Sequence, residues 1–255
     1  MYFYILFFML FLEHQRYKSA RSFTNFYKKH LFIYLQDFLN ILIYITNFNK
    51  FCFNEKTLPI HQKLILNHDK IVDEFQNALN NYTLLNPGVF DKGFEQEDNS
   101  YGYFFLNFFG VINTDIMPIL KQIANETPGL MTCFVSVMNK NIEIPMHRGP
   151  NAGLLRYHYT LLSTNNKNDY LEVMNKKFYW NEKEGFLFDD TYMHCVKKKS
   201  SDLRVTIICD FERDSLFFPL SWLNKINTRY LKNIKNTKNM QYVCIPQKKE
   251  KLKIF

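Results

Sequence analysis

The periodicity of the chain changes at Leu130, and that change limits the fold more than any other feature. The stretches 130–138 (LMTCFVSVM), 141–149 (NIEIPMHRG), 154–162 (LLRYHYTLL), 170–180 (YLEVMNKKFYW), 185–196 (GFLFDDTYMHCV) and 203–211 (LRVTIICDF) are short and rich in β-branched and aromatic residues. Turn-forming residues separate them: Asn139-Lys140-Asn141, Gly149-Pro150-Asn151-Ala152-Gly153, residues 163–169 and residues 181–185. Six strands at that spacing predict an antiparallel sandwich or jelly roll.

Upstream the pattern is helical. Ile60, Leu64, Ile65, Ile71, Phe75 and Leu79 recur at roughly helical spacing across 54–85, and Asn86-Pro87-Gly88 ends the run. Residues 86–105 are turn-rich, 114–125 predict a short helix stopped by Pro128-Gly129, and 216–234 predict a C-terminal helix followed by a tail. The expected organisation is a hydrophobic N-terminal segment (1–53) with candidate membrane-associated helices, a helical and turn-rich lead-in (54–105), a β domain (106–213), and a C-terminal helix with a basic tail (214–255). No internal repeat and no Pro/Gly/Ser linker interrupts it.

Composition excludes several classes. With 47% hydrophobic and 22% charged residues over 255 positions, the chain can bury one sizeable core and is neither disordered, collagen-like nor a disulfide-stapled miniprotein. The 26 Phe and 16 Tyr accompany abundant Asn, Lys and Ile, as an A+T-rich genome would give, so aromatic content alone is no evidence of stacking sites. The five cysteines are odd in number, widely spaced and form no CxxC, which points away from a disulfide framework or zinc ribbon and toward a reducing, cytosol-like compartment.

The net charge of +8 is concentrated at the ends. Arg16, Lys18, Arg21, Lys28 and Lys29 lie without an acid between Gln15 and His30, and seven lysines follow Arg229 against Glu250. The centre is nearly balanced, so no nucleic-acid groove is expected there. Residues 1–12 (MYFYILFFMLFL) are apolar but too short to span a bilayer, and lack a basic n-region and a cleavage site. A second apolar run, 31–48, carries Gln36, Asp37 and Asn40 on one narrow helical face. An amphipathic helix on a membrane surface or against the core explains it better than a span. Membrane-surface contact is thus expected through residues 1–48, which are also expected to be dispensable for the chemistry, since every motif residue lies after 130.

Of seven histidines, His14, His30, His61 and His68 share no motif and read as surface or packing residues. His147, His158 and His194 all fall in the strand region. The ordered set FVSVM-x5-IPMHRGP-x4-LRYH, then EGFLFDDTYMHCV-x7-RVTIICD, resembles the aspartyl/asparaginyl β-hydroxylase family over roughly residues 100–213. The spacing His147–Arg156–His158 and then His194–Arg204 makes the resemblance specific.

The resemblance implies a mainly β catalytic core on a double-stranded β-helix (jelly roll, cupin-like) with flanking N-terminal and C-terminal α-helices. It implies an iron(II)- and 2-oxoglutarate-dependent dioxygenase using O2, with ascorbate in support, that hydroxylates an unactivated C–H. The expected target is the β-carbon of Asp or Asn in a protein. The alternatives are a lipid acyl chain within the same family, or a non-enzymatic jelly-roll binding module. His147 and His194 match the iron-binding histidines, Arg204 the arginine that holds the distal carboxylate of 2-oxoglutarate, and Ser136, Met138, Arg156 and His158 the lining of the co-substrate pocket. Many non-haem iron sites add a carboxylate two residues after the first histidine. Here that residue is Gly149, as in the family resembled. Asp190 is then expected behind the metal ligands, reaching them through water, or else to be a turn or cap aspartate.

Strand alternation agrees with that grouping. Ser136 and Met138 share a face, as do Arg156 and His158, while Leu155, Tyr157 and Tyr159 point the other way. Arg204 shares a face with Thr206 and Ile208, opposite Leu203, Val205 and Ile207. A polar face bearing cations suits a dianionic keto acid, whose carboxylate accepts two parallel bonds from one guanidinium.

Overall fold

The computed structural model describes residues 32–47, 50–89, 100–110, 112, 115–214, 216–233 and 235–249, and of residues 32–35 and 235–238 the backbone alone. The apolar run 1–12, the basic stretch 15–30, His14 and His30 lie outside the described residues.

Two antiparallel sheets form the core. The larger runs β1 (Cys52–Phe53), β9 (Gly185–Phe188), β6 (Leu154–Leu162), β11 (Arg204–Glu212), β4 (Leu130–Met138), β3 (Tyr101–Phe108) from edge to edge. The smaller runs β5 (Ile142–His147), β10 (His194–Lys198), β7 (Tyr170–Val173), β8 (Lys176–Tyr179). From β4 to β11 the chain passes back and forth between the sheets, which is the winding of a double-stranded β-helix, and helices flank it.

Both faces of the larger sheet are covered, which explains why β6 and β11 read as nearly continuous apolar runs. On the outer face Val135, Tyr157, Tyr159, Val205 and Ile207 pack against α2 (Pro59–Leu66), α3 (His68–Asn81) and α4 (Pro118–Asn125) through Ile60, Leu64, Ile71, Phe75, Leu120 and Ile123. Each such side chain, fully buried, contributes roughly 1.5–3 kcal/mol. The two tyrosines keep their hydroxyls satisfied, Tyr157 with His61 Nδ1 at 2.7 Å and Tyr159 with His68 Nδ1 at 2.9 Å. The packing role expected for these two histidines is what the structure displays. The inner face looks onto the smaller sheet across Met138, Ile144, Leu171, Trp180, Phe186 and Phe188.

Several boundaries differ from the sequence expectation, each for a local reason. Residues 170–180 form a hairpin, β7 and β8, not one strand. Met174 (φ 46°) and Asn175 (φ 66°) are both left-handed, the geometry of a two-residue primed turn. Residues 185–196 break at Asp189, whose Oδ1 accepts from Thr191 N (3.0 Å) and Thr191 Oγ1 (2.5 Å) as the chain crosses between sheets. The helix expected over 54–85 is two, divided at Asn67. The one expected from 114 begins at Pro118, after Met117 at φ 46°, and Glu74 of α3 caps it by accepting from Ile119 N and Leu120 N.

The C-terminal region is more than one helix and a tail. After α5 (Leu220–Asn233) come α6 (Lys235–Val243) and β12 (Gln247–Lys248), which pairs with β2 (Tyr82–Thr83). Cys244 is buried against Phe105 and Ile112. All five cysteines are free thiols.

The N-terminal helix α1 (Phe32–Thr46) buries polar and apolar side chains alike over residues 36–43. Gln36, Asp37 and Asn40, the polar stripe, are buried together with Leu39 and Ile43. The reading of α1 as packed against the core holds for residues 36–43, and their polar face is not offered to a membrane surface. No described helix is long and apolar enough to cross a membrane.

Candidate active site between the two sheets

A cavity opens between the inner faces of the sheets. Its lining includes Ser136, Met138, His147, Arg156, His158, Asp190, His194 and Arg204, so every candidate site residue from the sequence is brought to one place.

At one end stand the two histidines. They are register partners on adjacent antiparallel strands, His147 at the end of β5 and His194 at the start of β10, with ring centroids 4.1 Å apart. The same local device orients both. Nδ1 of His147 lies 2.8 Å from the carbonyl of Pro145, and Nδ1 of His194 lies 2.8 Å from the carbonyl of Tyr192. A carbonyl only accepts, so Nδ1 carries the proton, and in the neutral ring the lone pair belongs to Nε2. Burial, then the neighbouring His147, holds His194 well below the usual histidine range, which keeps it neutral. Among the described residues no group of three or more His, Cys, Asp or Glu gathers as a metal cage, so this end offers two protein nitrogens.

Asp190 stands beside them. Its backbone carbonyl accepts from Gly149 N at 2.7 Å. A Cβ placed on Gly149 would fall 2.2 Å from the Asp190 carboxyl. Glycine is therefore required at 149 by packing: a side chain there would collide with the carboxylate that already occupies that corner. Burial, together with the nearby Asp210 and Asp189 carboxylates, raises the Asp190 carboxyl above its ordinary range against the pull of Arg156.

Arg156 lines the cavity, but its guanidinium is committed to protein carboxylates. Nε and Nη2 bond to the two oxygens of Asp210 (2.7 and 3.1 Å), and Nη1 lies 3.0 Å from Asp190 Oδ2. Burial opposes its charge, yet Asp190 and Asp210 outweigh it, and Arg156 keeps its proton beyond the normal arginine range. Asp210 is steadied in turn by Thr132 Oγ1, which donates at 2.5 Å.

The other end is different. Arg204 opens β11 opposite Met138, with Thr206 opposite Ser136. Arg204 is buried, its guanidinium carbon sits 4.1 Å from the centre of the Trp180 ring, and Nε and Nη1 make no hydrogen bond. Both ring nitrogens of His158 and the hydroxyls of Ser136 and Thr206 are likewise buried without a partner. Desolvation lowers Arg204 to about 10, still cationic at neutral pH, and desolvation with the charges of Arg156 and Arg204 holds His158 well below its usual value. Native proteins rarely leave so many buried polar atoms unbonded in one spot.

Sequence reasoning did not single out Trp180, Asp210 or Thr132. Trp180 follows a hairpin that the sequence pattern presents as one strand, so its inward direction does not follow from the strand period. Asp210 shares the face of Arg204, six residues on, but its pairing with Arg156 depends on the β6–β11 register.

The scaffold behind the histidines was also not legible. Asn40 Nδ2 donates to Pro150 O (3.0 Å) and Ala152 N donates to Asn40 Oδ1 (2.9 Å), holding the loop that follows His147. Gln36 bridges Asn40 and Asn151, and Asn227 of α5 donates to Gln36 Oε1 at 2.7 Å. Tyr44 Oη donates to Thr191 Oγ1 at 2.5 Å, on the loop that precedes His194. One helix therefore braces the loops that adjoin both histidines, through Gln36, Asn40 and Tyr44. Beneath it Asp189 forms a buried 2.7 Å pair with Arg213, which also donates to Ala152 O.

The sequence model of the family described as Aspartyl/Asparaginyl beta-hydroxylase matches residues 66–214, more than half of the chain. The chain belongs to the aspartyl/asparaginyl β-hydroxylase family. An ornithine lipid ester-linked acyl 2-hydroxylase from Rhizobium tropici is 33% identical over 119 residues, spanning 45% of this chain and 42% of that protein. Among solved structures, an oxidoreductase of the 2OG-Fe(II) oxygenase family from Burkholderia pseudomallei is similar at a TM-score of 0.34 and 13% identity, over 44% of this chain and 67% of that one. A Cupin_2 domain of an XRE family transcriptional regulator from Enterobacter cloacae gives 0.32 and 8%, over 45% and 98%. Structural likenesses this slight say nothing of the chemistry.

Proposed function

We propose that this hydroxylase-family chain is an iron(II)- and 2-oxoglutarate-dependent dioxygenase that hydroxylates an aliphatic C–H, with a lipid acyl chain as substrate. The observation that carries the proposal is the two-ended cavity: two imidazoles with Nδ1 locked to backbone carbonyls at one end, and at the other a buried arginine whose Nε and Nη1 are unbonded. The donor set fits the absent group. Two imidazole nitrogens suit iron(II) and leave positions for small ligands, and a buried guanidinium beside unbonded Ser136, Thr206 and His158 suits a carboxylate.

His147 and His194 would hold the metal through Nε2. When bound, iron(II) and 2-oxoglutarate supply the oxidation, with O2 consumed, carbon dioxide and succinate released and C–H converted to C–OH. Arg204 would pair with the distal carboxylate, its plane steadied by Trp180, while Ser136, Thr206 and His158 offer hydrogen bonds around it. Met138 walls the same end. Arg156, already paired with Asp190 and Asp210, forms a rigid polar wall, and Arg204 is left as a cavity cation with no ion pair among the described residues. Asp190 would act behind the histidines, as a polar group next to the Gly149 backbone.

The acyl substrate is supported by the apolar arm of the cavity, lined by Phe105, Phe108, Phe109, Phe134 and Leu154, and by the lipid hydroxylase that is 33% identical in part. The β-carbon of a protein Asp or Asn is the second reading, favoured by the description of the family.

The test is succinate formation with iron(II), ascorbate and 2-oxoglutarate, offered a lipid with ester-linked saturated acyl chains or a peptide bearing Asp and Asn. Gain of one oxygen by the acyl chain is expected. Gain by the peptide alone would shift the assignment to the second reading, and no 2-oxoglutarate turnover with either would sink the dioxygenase reading.

A further inference from the structure

The helix α5 has two unlike faces. Its inner face packs on the cavity wall: Leu231 clusters with Phe109 and Leu154, which line the cavity, and Asn224 Nδ2 donates to Gly153 O at 2.9 Å. A Cβ on Gly153 would meet Asn224 Oδ1 at 1.9 Å, so the Asn224 side chain of the helix packs directly on the backbone of the loop.

Its outer face carries Trp222, Ile226 and Tyr230 at i, i+4 and i+8, exposed by 56%, 40% and 41%, led in by Phe217 and Phe218, the latter 79% exposed. At helical spacing the exposed Lys225, Arg229 and Lys232 form a second stripe along one side of the first. No Asp or Glu occurs from residue 215 to residue 249, while seven Lys and Arg do. A solvated helix does not need an aromatic stripe, and a protein-binding face would not ordinarily be so uniformly cationic. Apolar side chains with interfacial Trp and Tyr beside a row of cations are complementary to a lipid surface with anionic headgroups.

We propose that the outer face of α5, with Phe217 and Phe218, docks on an anionic bilayer surface. The aromatic stripe would enter the headgroup boundary while Lys225, Arg229 and Lys232 pair with phosphates. The membrane contact that sequence reasoning assigned to residues 1–48 would then belong to the other end of the chain, on the helix that borders the apolar arm of the cavity. The proposal stands apart from the chemistry of the site, because docking requires neither metal nor turnover.

The experiment uses the full chain with vesicles of phosphatidylcholine alone or mixed with phosphatidylglycerol, read by co-sedimentation and tryptophan fluorescence. The chain has two tryptophans, Trp180 buried and Trp222 exposed, so changes in quencher access report Trp222. Before vesicles are added acrylamide should quench the exposed tryptophan. Anionic vesicles should shift its emission to the blue and protect it, and rising salt should reverse both. Trp222→Ser should abolish the spectral change. Each of Lys225→Glu, Arg229→Glu and Lys232→Glu should weaken partitioning at least about fivefold, while Lys70→Glu on α3 should not. Two results would overturn the proposal: a Trp222 already shielded in vesicle-free protein, meaning that another part of the chain or a second copy covers the face, or undiminished vesicle binding by the triple Glu variant.

Discussion

The two ends of the cavity are built on opposite principles. The histidine end is closed on itself: each Nδ1 has a carbonyl, Gly149 seats Asp190, and α1 ties down both loops through Asn40 and Tyr44. The Arg204 end is buried but largely unbonded among the described residues, with Ser136, His158 and Thr206 lacking partners and the guanidinium, unbonded at Nε and Nη1, stacked on the face of Trp180. The contrast between Arg156 and Arg204 makes the same point on one sheet face. Arg156 meets two carboxylates, whereas no ion pair within 4.0 Å is found for Arg204 among the described residues. A protein that leaves a buried cation uncompensated forgoes several kcal/mol unless an anion arrives. On the proposed function, the difference separates the part of the site that the chain ties down itself from the part that a ligand would complete.

The comparison breaks first at the histidines. His147→Ala and His194→Ala should each abolish retention of iron(II) through gel filtration, while the circular dichroism of the β core persists. Metal content equal to wild type in either variant would dissolve the histidine end as a metal site.

The next largest effect tests whether that end depends on α1. Asn40→Leu removes the acceptor of the buried Ala152 N, a loss costing about 1–3 kcal/mol, together with the bond to Pro150 O, so the midpoint of urea unfolding should fall and metal should bind more weakly. Gln36→Leu should act in the same direction. Unaltered metal affinity in both would reduce α1 to a passive cover and restore the expectation that residues 1–48 are dispensable.

How much of this was legible depended on where the information is stored. Face-sharing by Arg204 with Thr206, and by Arg156 with His158, follows from the strand period alone, and a one-residue slip would turn these polar side chains into the apolar face packed on α2, α3 and α4. The hairpin at Met174-Asn175 was hidden because methionine is not a turn-forming residue, and Trp180 was lost with it. The polar stripe of α1 was visible, but Gln36 and Asn40 find backbone groups and asparagine side chains over a hundred residues away, and no local pattern names them. Arg156 looked like a free cation because the acids that neutralise it, Asp190 and Asp210, approach only after β6, β9 and β11 are aligned.

A smaller effect sharpens the contrast between the cavity and the outer face. Burial holds His61 and His68 below the usual histidine value. Between their folded values and about 6.5, the unfolded chain takes up protons the folded chain does not, so stability falls as pH drops through that window. Each contributes a slope of up to about 1.4 kcal/mol per pH unit. The stability difference between wild type and His61→Gln should therefore shrink from pH 7.5 to pH 5, and a difference independent of pH would show that these rings are not buried neutral.

The smallest concerns Trp180. Cation–π stacking contributes roughly 0.5–2 kcal/mol, so Trp180→Leu should weaken 2-oxoglutarate binding a few-fold with metal affinity unchanged. Equal loss of both would mean that the two ends are not separable.

The most direct test of the account is the affinity of the Arg204 end for its anion. Calorimetric titration of 2-oxoglutarate into the anaerobic, iron(II)-loaded protein should give saturable one-to-one binding. Removing one partner of a buried charge pair costs roughly 2–5 kcal/mol, so Arg204→Ala should weaken that binding by at least about tenfold, with iron retained, and Arg204→Lys should fall between. An Arg204→Ala protein that keeps its iron and binds 2-oxoglutarate as tightly as wild type would contradict the account.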